Sequence, residues 1–250
     1  MFKACLPVAV IFVVPAAAQW LNHRDPRTPR TPDGKPNLTA PAPKAVDGMP
    51  DLSGIWQASS GKYLENLAAD TPGLQLLPWA DKIYKERQEN NGKGRPSERC
   101  IGHGLTDAEA LPVPFRIVQN PGVTFVLFEA YNHWRQIFTD GREYPPDLNP
   151  SWFGSSVGKW DGNTFVVDTI GFHDRSWLDD GGHPHTESLH VTERFQRRDF
   201  GHMQIQLTID DPKTYPKPWT ATIPYQLLPD TELIESICEN EKDLPHMVGK

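Results

Sequence analysis

The chain has 250 residues, of which 38% are hydrophobic, and a formal net charge of −7 at pH 7. This length and apolar content suffice for one sizeable core, and many all-β barrels and sandwiches of this size are single domains. The acidic balance provides no basic surface for nucleic acid or anionic lipid. We therefore expect one folded domain that binds neither.

The N-terminus has the pattern of a secretory signal peptide. Lys3 supplies the positive charge, residues 6–14 form an apolar core, and Ala16, Ala17 and Ala18 provide small residues for cleavage after position 18. The apolar core is too short to span a bilayer. The sequence thus predicts a periplasmic or secreted protein with no stable membrane insertion after cleavage; an uncleaved anchor is the alternative.

Residues 19–50 are rich in proline and lack apolar periodicity, and the whole chain has 25 prolines. Such a segment buries too little surface to offset the entropy lost on ordering. We predict a flexible or wrapped leader at 19–50, followed by a single β-barrel domain at 51–250.

Alternating apolar residues and tight turns then predict a series of strands. Two short helices are predicted at 79–90 and 106–110, the second from a capping box in which Thr106 caps the helix and Glu109 lies three positions on. Predicted strands occupy 51–57, 115–119, 123–129, 131–138, 155–160, 164–169, 187–195, 203–209, 219–227 and 231–238.

The spacing of these strands indicates a mainly β fold without βαβ alternation. Short turns between neighbours favour an antiparallel up-and-down barrel of about eight or nine strands. A β-sandwich is the alternative.

After signal cleavage two cysteines remain, Cys100 and Cys238. An even pair in an exported chain most simply forms a disulfide. Two free thiols, or a metal site that uses Cys100 and His103, are the alternatives.

One long pattern runs Trp152-x-Gly-x-Ser-x-Gly-x-Trp160-Asp-Gly-x-Thr-x-Val-Val-x-Thr-x-Gly-Phe172, then His185-x-Glu-x-Leu189 and Thr192-Glu-Arg-Phe195. This pattern resembles that of a large group of uncharacterised exported bacterial proteins. The resemblance covers roughly residues 50–246 and implies a calycin-like barrel. It implies no catalytic residues.

Titratable residues crowd the segment that follows this Gly/Trp-rich hairpin. They can supply a general acid, a general base and a group that orients either one. The spacing of the histidines lacks the helical HExxH register, so we expect no metal and no other cofactor. The catalytic candidates are His173, Asp174, His185, Glu187, His190 and Glu193.

The alternation along 187–195 places Glu193 on the apolar, inward face and His190 on the opposite face. A carboxyl among apolar residues needs a cation, and Arg135 or Arg116 can provide it. The pair is either a structural ion pair that fixes strand register or a functional carboxyl in a ligand cavity. Outward placement weakens His190 as a catalyst.

Four further residues are candidates for substrate binding: His133, Arg135, Trp177 and Arg194. The face with His133 and Arg135 can point inward, toward a ligand chamber, or outward, toward solvent. Trp177 lies in the His- and Asp-rich loop, where an indole can cover a cavity mouth.

These features favour a cofactor-independent acid/base enzyme, a lyase, isomerase or hydrolase, acting on a small hydrophobic or aromatic compound in the barrel. A non-catalytic carrier of a small apolar ligand is one alternative. A metal-dependent enzyme that uses the His-rich loop is another.

Overall fold

A computed structural model describes residues 23–236. Within that range, nine strands close into a barrel in which each strand pairs with its neighbours in sequence and β9 returns to β1. The strands are β1 (Gly54–Ala58), β2 (Phe115–Asn120), β3 (Val123–Phe128), β4 (Trp134–Phe138), β5 (Ser155–Asp161), β6 (Thr164–Ile170), β7 (His190–Arg197), β8 (His202–Asp210) and β9 (Trp219–Leu227). The predicted mainly β, calycin-like barrel is confirmed.

The barrel departs from a purely antiparallel meander at one place. β4 and β5 run parallel, with Ile137 opposite Ser156 and Phe138 opposite Val157. A parallel pair cannot be joined by a tight hairpin, so the connection 139–154 travels back along the barrel. The other eight pairs are antiparallel.

Three helices lie between β1 and β2: α1 (Lys62–Glu65), α2 (Pro78–Glu89) and α3 (Leu105–Ala110), with a 3-10 turn at Pro96–Arg99. Every residue of α3 is buried. The predicted capping box is wrong, because Gly104 is the N-cap and the Thr106 hydroxyl donates to the carbonyl of Leu178 at 2.7 Å. The last predicted strand is also wrong over residues 231–236, which are not strand; 237 and 238 lie outside the described residues.

The direction of each strand determines at which end of the barrel the following connection lies. The tight turns after β2, β5 and β7 lie at one end, which we call the hairpin end. The helices, the loops 129–133, 171–189 and 211–218, and the start of β5 lie at the other, which we call the helical end. Most loops large enough to carry a site are therefore gathered at the helical end.

Residues 23–50 lie against the hairpin end. The backbone N–H groups of Phe200 and Gly201, in the turn after β7, donate to the carbonyls of Ala40 and Leu38 at 2.7 Å each. Arg30 makes a two-pronged ion pair with Asp230, at 2.6 and 2.8 Å. Side-chain and backbone contacts thus hold this proline-rich segment to the barrel.

The same turn occurs twice within this segment. Thr31 N–H donates to the carbonyl of Lys35 and Ala45 N–H donates to that of Met49, at 2.9 and 2.8 Å. Gly34 and Gly48 occupy the same place in the two turns, both with φ of +82°, which favours glycine. Pro29–Leu38 and 43–52 are therefore two copies of one structural unit, and the second leads into β1.

Inward side chains fill the barrel with one apolar cluster. The largest fully buried members include Trp56, Phe115, Phe165, Phe195 and Tyr225. Among the described residues no helix is long and apolar enough to cross a membrane.

Candidate functional site

Five of the nine histidines belong to connections at the helical end: His103, His133, His173, His183 and His185. These side chains come from three connections that are distant in sequence. The concentration of imidazoles at one end marks it as the candidate site.

Inside the barrel, just below this end, Arg135 is the centre of a buried polar group. β4 points Arg135 inward, where its two terminal nitrogens bind the carboxylate of Glu193 at 2.9 and 2.8 Å. The hydroxyls of Ser156 and Thr169 accept from the guanidinium at 2.8 and 3.3 Å. Arg135 is therefore the cation that the strand phase of Glu193 required, and both side chains are buried.

Glu109, from α3, adds a second carboxyl to the same cation. Its Oε1 lies 3.1 Å from Arg135, while its Oε2 has no hydrogen-bond partner among the described residues. Burial, and then the charge of Glu193, raise the pKa of Glu109 well above its ordinary value. One guanidinium cannot neutralise two buried carboxylates, so Glu109 is held as the neutral acid.

A second buried pair, His103 and Asp107, lies where α3 begins. Nδ1 of His103 is 2.5 Å from Oδ2 of Asp107, and the other carboxylate oxygen has no hydrogen-bond partner among the described residues. Burial disfavours charge on His103, but the hydrogen bond and charge of Asp107 outweigh it and raise the His103 pKa. Burial raises the pKa of Asp107. The pair shares a proton, with Asp107 fixing the orientation of the ring.

Aromatic rings and His133 surround this pair. Tyr131 meets His103 edge-on at 5.1 Å and stacks with His133 at 6.0 Å. Phe153 packs on His133 at 5.6 Å and on Phe128 at 5.4 Å. Burial, followed by the charge of His103, lowers the pKa of His133. The result is an aromatic surface next to two imidazoles of opposite protonation tendency.

The backbone around this surface is strained. Tyr131 and Asn132 have φ of 59° and 51°, a left-handed conformation unusual for residues other than glycine. A Cβ at position 102 would lie 1.7 Å from Nε2 of His133, so any residue larger than glycine would displace the His133 ring. Such strain is typical of functional loops.

His185 lies in a buried pair with Ser176. The Ser176 hydroxyl is 2.7 Å from His185 Nε2, and Nδ1 of the same ring is 3.1 Å from the carbonyl of Thr186. The carbonyl can only accept, so Nδ1 carries the proton and Nε2 accepts from the serine. Burial lowers the pKa of His185, which favours this neutral form.

His183 and Trp177 both contact α2, where Tyr84 stacks on His183 with 4.2 Å between ring centres. Nδ1 of His183 lies 2.6 Å from Asp179, which also accepts the backbone N–H of Leu67 at 2.7 Å. The Trp177 ring has the guanidinium of Arg87 4.0 Å from its centre and is buried. Trp177 therefore joins the loop to α2 and contacts α2 rather than solvent.

At the edge of the loop, one ligating atom each from His173, Asp174 and Glu187 lies within 4.8 Å of the other two. His173 is half-buried against Trp152, at 6.2 Å between ring centres, whereas Asp174 and Glu187 are exposed. Among the described residues this is the grouping with the donor set for a metal ion.

Two candidates lie on the outside of the barrel. His190 is 3.1 Å from Asp168, and Arg194 is 3.1 Å from Asp161, both pairs half-exposed or exposed. Their outward position follows from the strand phase that turns Glu193 inward.

The predicted residues thus fall into separate places rather than one site. Glu193 and Arg135 are together in the barrel, His185 is paired with Ser176, and His173, Asp174 and Glu187 form the loop edge. The pair His103–Asp107 was missed as an acid/base pair. The four-residue spacing of His103 and Asp107 was the signal present in the sequence. It indicates a buried acid/base pair only once α3 is known to be buried.

A cleft of about 650 Å³ lies at the opposite, hairpin end, between the leader and the barrel. Its charged lining consists mainly of Asp and Arg side chains, among them Asp25, Arg27, Arg116 and Arg197. This cleft lies away from the histidines, so we place the candidate chemistry at the helical end.

The fold defines the chain as a closed, nine-stranded β-barrel protein with a histidine-rich helical end. Comparison with protein-family models, with curated proteins and with solved structures yields no match.

Proposed function

We propose that the protein is an acid/base enzyme, a lyase, isomerase or hydrolase, that acts on a small hydrophobic or aromatic compound at the helical end. The observation that carries this proposal is the buried His103–Asp107 pair, 2.5 Å apart, beside the aromatic surface of Tyr131 and Phe153.

In the proposed reaction each nitrogen of His103 has its own role. Asp107 occupies Nδ1, which leaves Nε2 to exchange a proton with the substrate. The carboxylate stabilises the imidazolium that forms when Nε2 takes a proton. His133, whose pKa is lowered, is the complementary group that is neutral near pH 7. The proton transfers need only side chains of this chain.

The proposed substrate class follows from the same surroundings. Rings of Phe128, Tyr131 and Phe153 offer apolar and π-face contacts, which favour a flat, small compound. His185, with Ser176 on its Nε2, is a second base at the same end of the barrel.

The test is turnover of a compound panel in deuterated water. Small aromatic and terpenoid compounds are first screened by thermal shift, and those that bind are incubated with the protein. NMR and mass spectrometry then detect products or deuterium at carbon. We expect turnover in the wild type and a loss of at least about a hundredfold in H103Q, the usual contribution of a general acid or base.

Matched variants separate chemistry from folding. D107N keeps the shape of the pair but removes its charge, and should also lose turnover. H190Q removes a histidine on the outer wall and should retain it. Undiminished turnover in H103Q would contradict the proposal.

A non-catalytic carrier for a small apolar ligand is the second candidate function, favoured by the same aromatic surface. Tight binding of a panel compound at His133 and Phe153, with no product or deuterium incorporation, would support the carrier instead.

We further propose that the protein is exported to the periplasm or secreted, and that it belongs with the exported bacterial proteins that its Gly/Trp-rich pattern resembles. The signal-peptide pattern supports export, and it lies outside the described residues. N-terminal sequencing of the mature protein from a periplasmic fraction should begin at Gln19.

A further inference from the structure

We propose that His173, Asp174 and Glu187 form a site for one divalent transition-metal ion, of which Zn²⁺ is the best match. One imidazole and two carboxylates are a donor set that zinc accepts, with water completing the coordination. The site is separate from the acid/base residues assigned above, so it goes beyond the proposed function.

The three ligands converge from the two ends of the His- and Asp-rich loop. His173 and Asp174 open the loop just after β6, and Glu187 closes it just before β7. All three ligating atoms already lie within 4.8 Å of one another. Tetrahedral zinc holds its ligand atoms about 3.4 Å apart, given bond lengths of about 2.1 Å. Nδ1 of His173 and Oδ1 of Asp174 meet this spacing at 3.3 Å, and Glu187 is exposed and able to rotate inward.

An independent observation concerns Nδ1 of His173. This nitrogen is buried and has no hydrogen-bond partner among the described residues, because its approach to Asp174 lacks hydrogen-bond geometry. A buried polar atom without a partner costs free energy. A cation between the nitrogen lone pair and the two carboxylates would satisfy the nitrogen and remove the repulsion between the carboxylates.

The ring that provides Nδ1 is held in place before any ion binds. Its backbone N–H donates to the carbonyl of Ser151 at 2.9 Å, and Trp152 stacks on its face. A ligand that is already oriented loses little freedom on binding. A bound ion would join the two ends of the loop that carries Ser176 and His185.

The chain contains a matched control. His190 and Asp168 form another partly exposed His–Asp pair, 3.1 Å apart. In contrast to His173 and Asp174, they are not part of a group of three convergent ligands among the described residues. A site that depends on the third ligand should therefore distinguish the two pairs.

The test is Zn²⁺ binding by untagged, chelator-treated protein, measured by equilibrium dialysis and titration calorimetry. We expect one equivalent in the wild type, and at least about tenfold weaker binding in each of H173Q, D174N and E187Q. H190Q and D168N should bind as the wild type does. Circular dichroism and thermal unfolding verify that the exposed-site variants D174N and E187Q remain folded.

Three results would overturn the site: no stoichiometric Zn²⁺ in the wild type, unchanged affinity in D174N and E187Q, or an equal loss in H190Q. H103Q should keep full Zn²⁺ affinity. Failure of the acid/base proposal and failure of the metal site are therefore read from different variants.

Discussion

Arg135 donates from both terminal nitrogens to the carboxylate of Glu193 inside the barrel, at 2.9 and 2.8 Å, and both side chains are buried. Glu109 reaches the same guanidinium from α3 as a neutral acid. The carboxyls of Glu193 and Glu109 both lie within hydrogen-bonding distance of Arg135, but only Glu109 is held as the neutral acid. Replacing each glutamate by glutamine, an amide of the same shape, tests this difference in charge.

E193Q should lower the free energy of unfolding by about 3–5 kcal/mol, because it leaves the buried Arg135 cation without its anion. At about pH 4, where the Glu109 carboxyl is largely uncharged in the unfolded chain as well, E109Q should change it by roughly 1 kcal/mol or less, since an amide replaces an uncharged carboxyl. Urea unfolding of the three proteins at one pH measures both values. Equal losses in the two variants would contradict the neutral state of Glu109.

The neutral acid also predicts a pH dependence. The pKa of Glu109 is higher in the folded protein than its ordinary value of 4.5. Its contribution to stability is therefore fully present below about pH 4.5 and is lost as the pH rises through the folded pKa. The stability of E109Q relative to wild type should rise with pH over that window, by at most about 1.4 kcal/mol per pH unit. Unfolding curves from about pH 4 to 8 test this; a constant difference would argue against it.

The His103–Asp107 pair predicts that the pKa of His103 lies above its ordinary value in the wild type and below it in D107N. Asp107 raises the pKa of His103 against the effect of burial. In D107N only burial and weaker charges remain, so the pKa should fall below 6.5. NMR titration of the imidazole, assigned with H103Q, measures the shift. D180N removes a more distant negative charge and should move the pKa less; an equal shift would mean that Asp107 is not the main partner.

The His103–Asp107 pair should also make the free energy of unfolding depend on pH. The folded pKa of His103 is above its ordinary value of 6.5, so the stabilisation is present below that pH and is lost as the pH rises through the folded pKa. D107N should lack this loss.

The contacts of the leader predict that two alanine substitutions, R30A and K35A, will differ in their effect on proteolysis. R30A removes the two-pronged pair with Asp230, whereas K35A removes an exposed pair with Asp33. Limited proteolysis should cut within 23–50 faster in R30A than in wild type, and K35A should match wild type. Equal cutting rates in all three would mean that backbone contacts alone hold the segment.

The two cysteines predict an oxidised protein. Cys238 lies outside the described residues, so the pairing of Cys100 with Cys238 stays a prediction from sequence. Thiol titration of denatured, unreduced protein should find no free thiol. Loop closure would stabilise the fold by about 4–5 kcal/mol in the ideal model, so reduction should lower the unfolding midpoint. Two reactive thiols would contradict the pairing.

Much of the barrel could be predicted because it depends on local patterns. The alternation around Glu193 places it inward, and the Asp161-Gly162 turn predicts the β5–β6 hairpin, with φ of 58° at Gly162. These signals lie within a few residues of the feature they predict.

The candidate site could be predicted only in part, because it depends on packing between distant segments. Glu109 fits a capping box by sequence, yet in the fold it reaches Arg135 across the barrel. His103 and Asp107 acquire meaning only when α3 is buried at the helical end. No pattern within α3 states which strand ends lie beneath it.

The parallel contact between β4 and β5 is a matter of parity. Directions that alternate around a ring can close only when the number of members is even, and this ring has nine strands. At least one neighbouring pair must therefore share a direction, whatever its side chains. Because β4 and β5 run parallel, residues 139–154 must return along the barrel wall, and this path places Trp152 and Phe153 beside the histidines. A barrel with one strand more or fewer would not need a parallel pair, and these two rings would then lack the connection that brings them to the site.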